Sequence, residues 1–240
     1  MAGRGKGRAQ PGLFGASDPA ASARKPKIGE VEQALRREGI WPVVGTDEVG
    51  RGPLFGPVVA AAVCLRDGAR LPGLDDSKKL TEADREALVP KIEAQALAFA
   101  VVFASAEVIA ERNILGASML AMRQAVEQVL AQLQTDGASA PRLVLVDGNR
   151  AIPGLQAAQR PIVKGDARSR AIAAASVLAK VARDRHIVAL DADYPGYGLA
   201  QHKGYPTPVH LEALRRLGPT PEHRRGFAPV DAAWAAQERP

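Results

Sequence analysis

Residues 41–65 hold two apolar runs, Trp41 to Val44 and Pro57 to Leu65, separated by Gly45-Thr46-Asp47-Glu48-Val49-Gly50-Arg51-Gly52-Pro53. They read as two strands, Trp41 to Asp47 and Pro57 to Leu65, joined by a glycine loop, and so fix the start of a sheet. Successive side chains of a strand point to opposite faces. Asp47 and Glu48 can therefore share one site only where the strand ends or kinks. Gly50 and Gly52 supply that freedom, because glycine tolerates positive φ and close approach of a ligand to the backbone. Adjacent carboxylates are hard oxygen donors suited to a divalent metal. Taken alone, the same residues also make an acidic, glycine-rich turn.

The rest of the chain alternates strand and helix patterns. Gly29 to Gly39 predicts a short helix. A loop through Asp75-Asp76-Ser77-Lys78-Lys79 leads to Thr81, an N-cap candidate with Asp84 three residues on. The helix after it contains Pro90, which is expected to kink or divide it. Ala98 to Ala104 is a third strand. Asn113 to Gln134 is the longest helical pattern, with Leu115, Met119, Met122, Val126, Val129 and Leu130 at helical spacing. Leu143 to Val146 is a fourth strand ending at Asp147, and Pro161 to Lys164 a shorter fifth. A helix from about Ala167 to Leu190 carries Ala171, Ala174 and Ala175 on a face suited to close packing on a sheet. A last helix, Pro208 to Leu217, precedes a proline-rich C-terminus. The order predicts an α/β fold: one mixed sheet with helices on both faces.

Three strand ends each deliver an aspartate: Asp47, Asp147 before the turn pair Gly148-Asn149, and Asp166 after Lys164-Gly165. In α/β sheets the loops at strand ends gather functional groups, so the three suit a metal cluster. Each also has a plain structural reading. Asp147 can belong to a turn only, and Asp166 can be only the N-cap of the following helix.

The net charge of the 240 residues is +6. Residues 1–28 hold six basic residues against Asp18 alone, so this stretch carries five of those charges and leaves +1 for the remainder. Rich in Gly, Ala, Pro and Ser and without periodicity, it is expected to be a disordered basic tail. It lacks the continuous apolar stretch of a secretory signal, and no apolar run approaches the ~20 residues of a membrane helix. Cys64 is the single cysteine and lies inside an apolar run, which fits a buried hydrophobe and a reducing, cytoplasmic setting. His186, His202, His210 and His223 are scattered, with no pair at metal-ligand spacing. No Ser-His-Asp set is evident.

Gly45 to Pro53 resembles the first motif of the type 2 ribonucleases H, specifically bacterial ribonuclease HII. The resemblance continues through Asp76-Ser77-Lys78-Lys79-Leu80, Asn113-Ile114-Leu115, Val146-Asp147-Gly148-Asn149, Lys164-Gly165-Asp166 and Ala173 to Val181. It ends with His202-Lys203-Gly204-Tyr205-Pro206-Thr207 and His223-Arg224-Arg225-Gly226-Phe227. It implies an RNase H-like mixed five-stranded sheet flanked by helices, with a helical C-terminal part. It divides the chain into the tail 1–28, a catalytic domain 29–230 and an extension 231–240. The related ribonuclease HIII type has a folded N-terminal substrate-binding domain, and this tail is too short and polar to be one. Arg170 departs from the family's usual uncharged residue and is expected to be exposed, away from the acids.

The resemblance further implies a catalytic, metal-holding quartet of Asp47, Glu48, Asp147 and Asp166 with Mn²⁺ or Mg²⁺. It implies cleavage of the RNA strand of RNA–DNA hybrids and cutting 5′ of single ribonucleotides embedded in duplex DNA, as in ribonucleotide excision repair. The products carry 3′-hydroxyl and 5′-phosphate ends. The backbone of Gly50-Arg51-Gly52 is the candidate reader of the 2′-hydroxyl, the group that separates RNA from DNA. Lys78 and Lys79 form a basic spot in a loop. Ser176 and Lys180, one helical face-step apart, can turn toward a phosphate. By resemblance, Tyr205 stacks on the sugar of the adjacent deoxynucleotide. A monomer is expected. A non-catalytic nucleic-acid binder fits less well, because four separated acids repel phosphate unless a metal is bound.

Overall fold

The computed structural model describes residues 26–137 and 140–238. The first 25 residues of the basic tail, and the last two of the extension, lie outside the described residues. Five strands form one sheet: β1 (Val43–Val49), β2 (Val58–Leu65), β3 (Ala96–Ala104), β4 (Leu143–Asp147) and β5 (Gln159–Ile162), in the order β3-β2-β1-β4-β5. β2 pairs antiparallel with both β1 and β3, while β1 pairs parallel with β4, and β4 parallel with β5. The seven helices among the described residues are α1 (Glu30–Arg37), α2 (Glu82–Gln95), α3 (Ala106–Thr135), α4 (Arg170–Asp193), α5 (Leu199–His202), α6 (Pro208–Leu217) and α7 (Ala228–Gln237). The mixed sheet with helices on both faces is the architecture the sequence pattern predicts.

α3 covers one face of the sheet. Its Ala121, Met122, Ala125 and Val129 pack with Val44, Ala60, Ala62, Val144 and Val146. α4 covers the other face, where Ala174, Ala175 and Leu178 meet Val59, Ala61 and Val63. The small residues let α4 approach closely. A Cβ on Gly45 would lie 2.3 Å from the backbone of Ala171 and Ile172, so only glycine fits where α4 crosses β1. The burial partners also fix the alternation. Val43, Gly45 and Asp47 face α4, whereas Val44, Thr46 and Glu48 face α3.

Several boundaries differ from those expected. β1 continues through Glu48 to Val49 and stays paired with β2 over this stretch. The strand therefore does not end at Asp47. α2 begins with the capping box of Thr81 and Asp84 but is undivided across Pro90. That proline is exposed, so the carbonyl deprived of its hydrogen bond can turn to water. α3 begins seven residues before Asn113, capped by Ser105, and Asn113 interrupts it with φ 56° and ψ 170°. α4 is capped by Ser169, not by Asp166. The helical part after α4 includes α7, which runs across residue 230.

Candidate active site

Asp47 and Asp147 sit side by side. Thr46 is in register with Val146 on the parallel strands β1 and β4, so the next residue of each strand places its carboxylate on the α4 face. β4 stops there. β1 runs on without that neighbour, and Glu48, although on the α3 face, borders the same opening. Two adjacent acids thus share a site because the neighbouring strand ends, not because their own strand does.

Asp166 reaches the group from beyond β5. It lies in a short 3-10 turn, Gly165–Ala167. The Gly165 and Asp166 amides donate to Asp147 Oδ1 at 2.7 and 3.3 Å. Lys78 Nζ stands 3.1 Å from Asp166 Oδ2. Asp166 is therefore part of the acid cluster and not a helix cap.

A cleft of about 440 Å³ opens over these residues, lined by Asp47, Glu48, Gly50, Arg51 and Asp147 on one side and by Ser77, Lys78, Ser176, Lys180 and Tyr205 on the other. Ser176 Oγ is 2.9 Å from Ser77 Oγ and hydrogen bonds to Asp47. If Ser77 donates to Ser176 and Ser176 to Asp47, each hydroxyl proton is used once. Lys180 donates to Asp184 at 2.8 Å and Arg51 to Glu48 at 3.3 Å. Lys79 is turned away, paired with Asp75 at 3.0 Å. Gly52 lies under Tyr205, whose ring would be 3.6 Å from a Cβ at that position. Tyr205 is 39% exposed, so it is no core anchor. Arg170 is exposed beside α1, away from the acids.

The acids are held at an electrostatic cost. Burial, then the charges of Asp147 and Glu48, push the Asp47 carboxyl well above the usual carboxylate range. Glu48 is raised by burial against the opposing pull of Arg51. Asp147 is raised by burial and then by Asp166. Burial works against the Lys78 ammonium, but the hydrogen bond and charge of Asp166 prevail and raise it. A divalent cation would relieve this repulsion, and the donors are hard oxygens of the kind Mg²⁺ and Mn²⁺ take. The donor set fits such an ion. Among the described residues, however, no three His, Cys, Asp or Glu already surround one point. A bound ion would need further oxygens, which a phosphate can supply.

Two residues of the site have roles that the sequence reading did not assign, although Arg224 falls within the last motif of the resemblance. Arg183 and Arg224 are fully buried. Arg224 donates to the carbonyls of Gly50, Pro53, Gly56 and Pro57 at 2.6 to 2.8 Å. Arg183 donates to Phe55, Pro57 and Lys203 carbonyls at 3.0 to 3.2 Å. Together they tie the glycine loop to the segment that presents Tyr205, and Leu54 N to Gly204 O at 2.8 Å closes the same join. Gly50 has φ +93°, and a Cβ there would fall 2.2 Å from Arg183 Nε. Three of the four histidines that look scattered along the chain also converge here, while His186 packs against Phe103. His202 and His210 stack with ring centres 4.5 Å apart, and His210 Nε2 lies 3.3 Å from His223 Nε2. His210 Nδ1 is 2.9 Å from the Tyr205 carbonyl.

The family model described as Ribonuclease HII matches residues 44–230. Among solved structures, ribonuclease H2 from Pyrococcus horikoshii OT3 is similar at 27% identity and TM-score 0.68, over 82% of this chain and 99% of that one. The RNase HII of Archaeoglobus fulgidus, solved in complex with PCNA, is similar at 26% identity and TM-score 0.63, over 80% and 96%. Bst-RNase HIII, solved in complex with Mn²⁺, shares the fold at 18% identity and TM-score 0.64, over 86% and 73%.

Proposed function

The chain belongs to the ribonuclease HII family and is an endoribonuclease of the ribonuclease H type, and from that premise we propose that it hydrolyses the RNA strand of RNA–DNA hybrids and cuts 5′ of single ribonucleotides embedded in duplex DNA, leaving 3′-hydroxyl and 5′-phosphate ends. The observation that carries the reading is the pairing of Asp47 with Asp147 at one cleft with the Gly50-Arg51-Gly52 backbone and Tyr205. One half of the cleft suits chemistry on a phosphodiester, and the other suits recognition of a sugar.

Asp47, Glu48, Asp147 and Asp166 are the residues that would hold Mg²⁺ or Mn²⁺. Two bound ions would supply an activated water and neutralise the leaving oxygen of an in-line displacement. The protein's own groups do the rest. The Gly165 and Asp166 amides orient Asp147, and the Ser77–Ser176 pair orients Asp47. Lys78 and Lys180 place positive charge on the cleft wall, where a phosphate backbone is favoured. The glycine loop offers amide and carbonyl groups to a 2′-hydroxyl. Tyr205 presents an exposed ring face for the neighbouring sugar.

The test is cleavage of a DNA duplex containing one ribonucleotide, beside an RNA–DNA hybrid and an all-DNA duplex, with Mg²⁺, Mn²⁺ or EDTA. The expected result is a single cut 5′ of the ribonucleotide and none in EDTA or on DNA. Cutting of the all-DNA duplex, or cleavage unaffected by EDTA, would sink the reading.

A further inference from the structure

A groove of about 650 Å³, larger than the acidic cleft, lies between α3 and the loop after β4. Its floor is apolar, from Leu115, Met119 and Pro153, and its lining includes Arg112, Arg123 and Arg150 but no carboxylate. Arg112 and Arg150 are exposed and make no hydrogen bond or ion pair among the described residues. Arg123 meets only Glu127, at 3.6 Å, and its Nε is buried without a hydrogen-bond partner.

The local build explains the hollow. Asn113 breaks α3 at a left-handed φ, then restarts it by accepting the Leu115 and Gly116 amides at 3.0 and 3.1 Å. The amides at this restart are thus already satisfied, and the attraction for an anion comes from the arginines. On the facing wall a Cβ at Gly154 would lie 2.8 Å from Arg123 Nη1. Glycine there lets the loop lie against the guanidinium.

The groove is continuous with the active site. Leu115, Met119 and Arg150 also line a hollow of about 280 Å³ that ends at Glu48, Arg51 and Asp147. Those three residues line the acidic cleft in turn. Tyr205 borders only the cleft, so the groove leaves the carboxylates on the flank away from the tyrosine. Chain outside residues 1–28 carries a net charge of only +1, so three arginines with a single carboxylate partner form a local excess. Arginines over an apolar floor match a sugar–phosphate backbone, with guanidinium groups on phosphate oxygens and sugar faces below.

Resting on the nuclease reading above, we propose that this groove holds the backbone of the substrate duplex beyond the cut, on the side away from Tyr205, with Arg112, Arg123 and Arg150 on its phosphates. The occupant is a continuous duplex and not a free nucleotide, because the groove opens directly out of the catalytic cleft.

The experiment is equilibrium binding of a duplex with one ribonucleotide, in EDTA, from 50 to 200 mM salt, for wild type and for Arg112→Ala with Arg123→Ala. Each phosphate that is no longer neutralised lowers the slope of log affinity against log salt by about 0.9. With two phosphates released in the variant, wild type loses roughly tenfold more affinity over this range than the variant does. Trimming the duplex base pair by base pair from one end should make wild type behave like the variant. Trimming from the other end should preserve the difference. Arg112→Lys with Arg123→Lys keeps the charges and should restore the slope. An unchanged slope in the alanine pair, or a difference that survives trimming from both ends, overturns the proposal. A wild type that shows the length-dependent slope yet never cuts at the ribonucleotide would overturn the nuclease reading and leave the groove standing.

Discussion

Asp47 has the most to gain from a change of charge. Burial and two neighbouring acids raise its pKa in the folded state, so the folded, metal-free protein binds its proton more tightly than the unfolded chain does. Stability from this group is complete below the unfolded pKa and is lost as pH rises through the raised folded value. Asp47→Asn should therefore abolish cleavage yet raise the metal-free Tm at pH 7 by roughly 2–4 °C, the shift about 1 kcal/mol makes in a domain of this size. The gain should shrink toward zero as pH falls to about 4. Mg²⁺ should raise the Tm of wild type more than that of the variant. Melting curves with and without Mg²⁺ check this, and an Asp47→Asn protein that melts earlier than wild type at pH 7 would contradict it. Tyr205 makes the second test at this scale. Stacking on an aromatic contributes about 1–3 kcal/mol per nucleotide, so Tyr205→Ala should slow cleavage at a single ribonucleotide roughly tenfold to hundredfold, while Tyr205→Phe keeps most of the rate. Equal losses in both variants would assign the effect to the hydroxyl. Asp47, Asp147 and Asp166 are legible in the sequence because each follows an apolar run and meets glycine. Arg183 and Arg224 are not, because their partners are backbone carbonyls, most of them 126 to 174 residues away, and a carbonyl carries no side-chain signature.

Elements were legible where local rules decide them. α6 occupies the expected Pro208–Leu217, with Thr207 as N-cap and proline in its first turn. Boundaries decided by neighbours were not legible. β1 continues past Asp47 because β2 still pairs with it, and the short helices α5 and α7 are held by two small clusters, one of Phe55 and Leu199 and one of Leu54 and Val230. The unit with most consequence for specificity is the join between the glycine loop and the segment carrying Tyr205. Arg183 makes the crossing to the Lys203 carbonyl, and the loop side of the join is held by the guanidinium fork of Arg224, which reaches four of its carbonyls in different directions. A lysine keeps the charge but has no planar fork. Buried hydrogen bonds from a charged donor contribute about 1.5–3 kcal/mol each. Arg224→Lys should then lower kcat/KM on a single-ribonucleotide duplex by roughly tenfold to hundredfold. The Mg²⁺-induced rise in Tm should persist, since Arg224 binds the loop and not the acids. If the variant loses the Mg²⁺ response together with its activity, the arginine supports the whole site and not the sugar-reading half alone.

At the scale of the whole molecule, charge is divided by task. The sheet ends concentrate negative charge at one point, and Arg51, Lys78 and Lys180 line the same cleft. A positive excess then continues along the groove under α3. Residues 1–25 add five basic side chains against Asp18. Their expected contribution is long-range attraction to any polyanion, which screening by salt weakens. Deleting residues 1–25 should therefore weaken duplex binding at 50 mM salt and flatten its salt dependence by about 0.9 for each phosphate the tail neutralises. Single-turnover cleavage at saturating duplex should stay within about twofold of wild type, because diffuse attraction acts before the scissile phosphate is seated. Trimming the duplex should not restore wild-type behaviour from either end, unlike the effect expected of the groove arginines, since long-range attraction follows the total charge of the duplex and not one register of its backbone. Combining the deletion with Arg112→Ala and Arg123→Ala should give a slope change close to the sum of the two, as expected of sites that act independently. A deletion that lowers the saturated cleavage rate by tenfold or more would place the tail inside the active site, and the division of charge between attraction and chemistry would have to be redrawn.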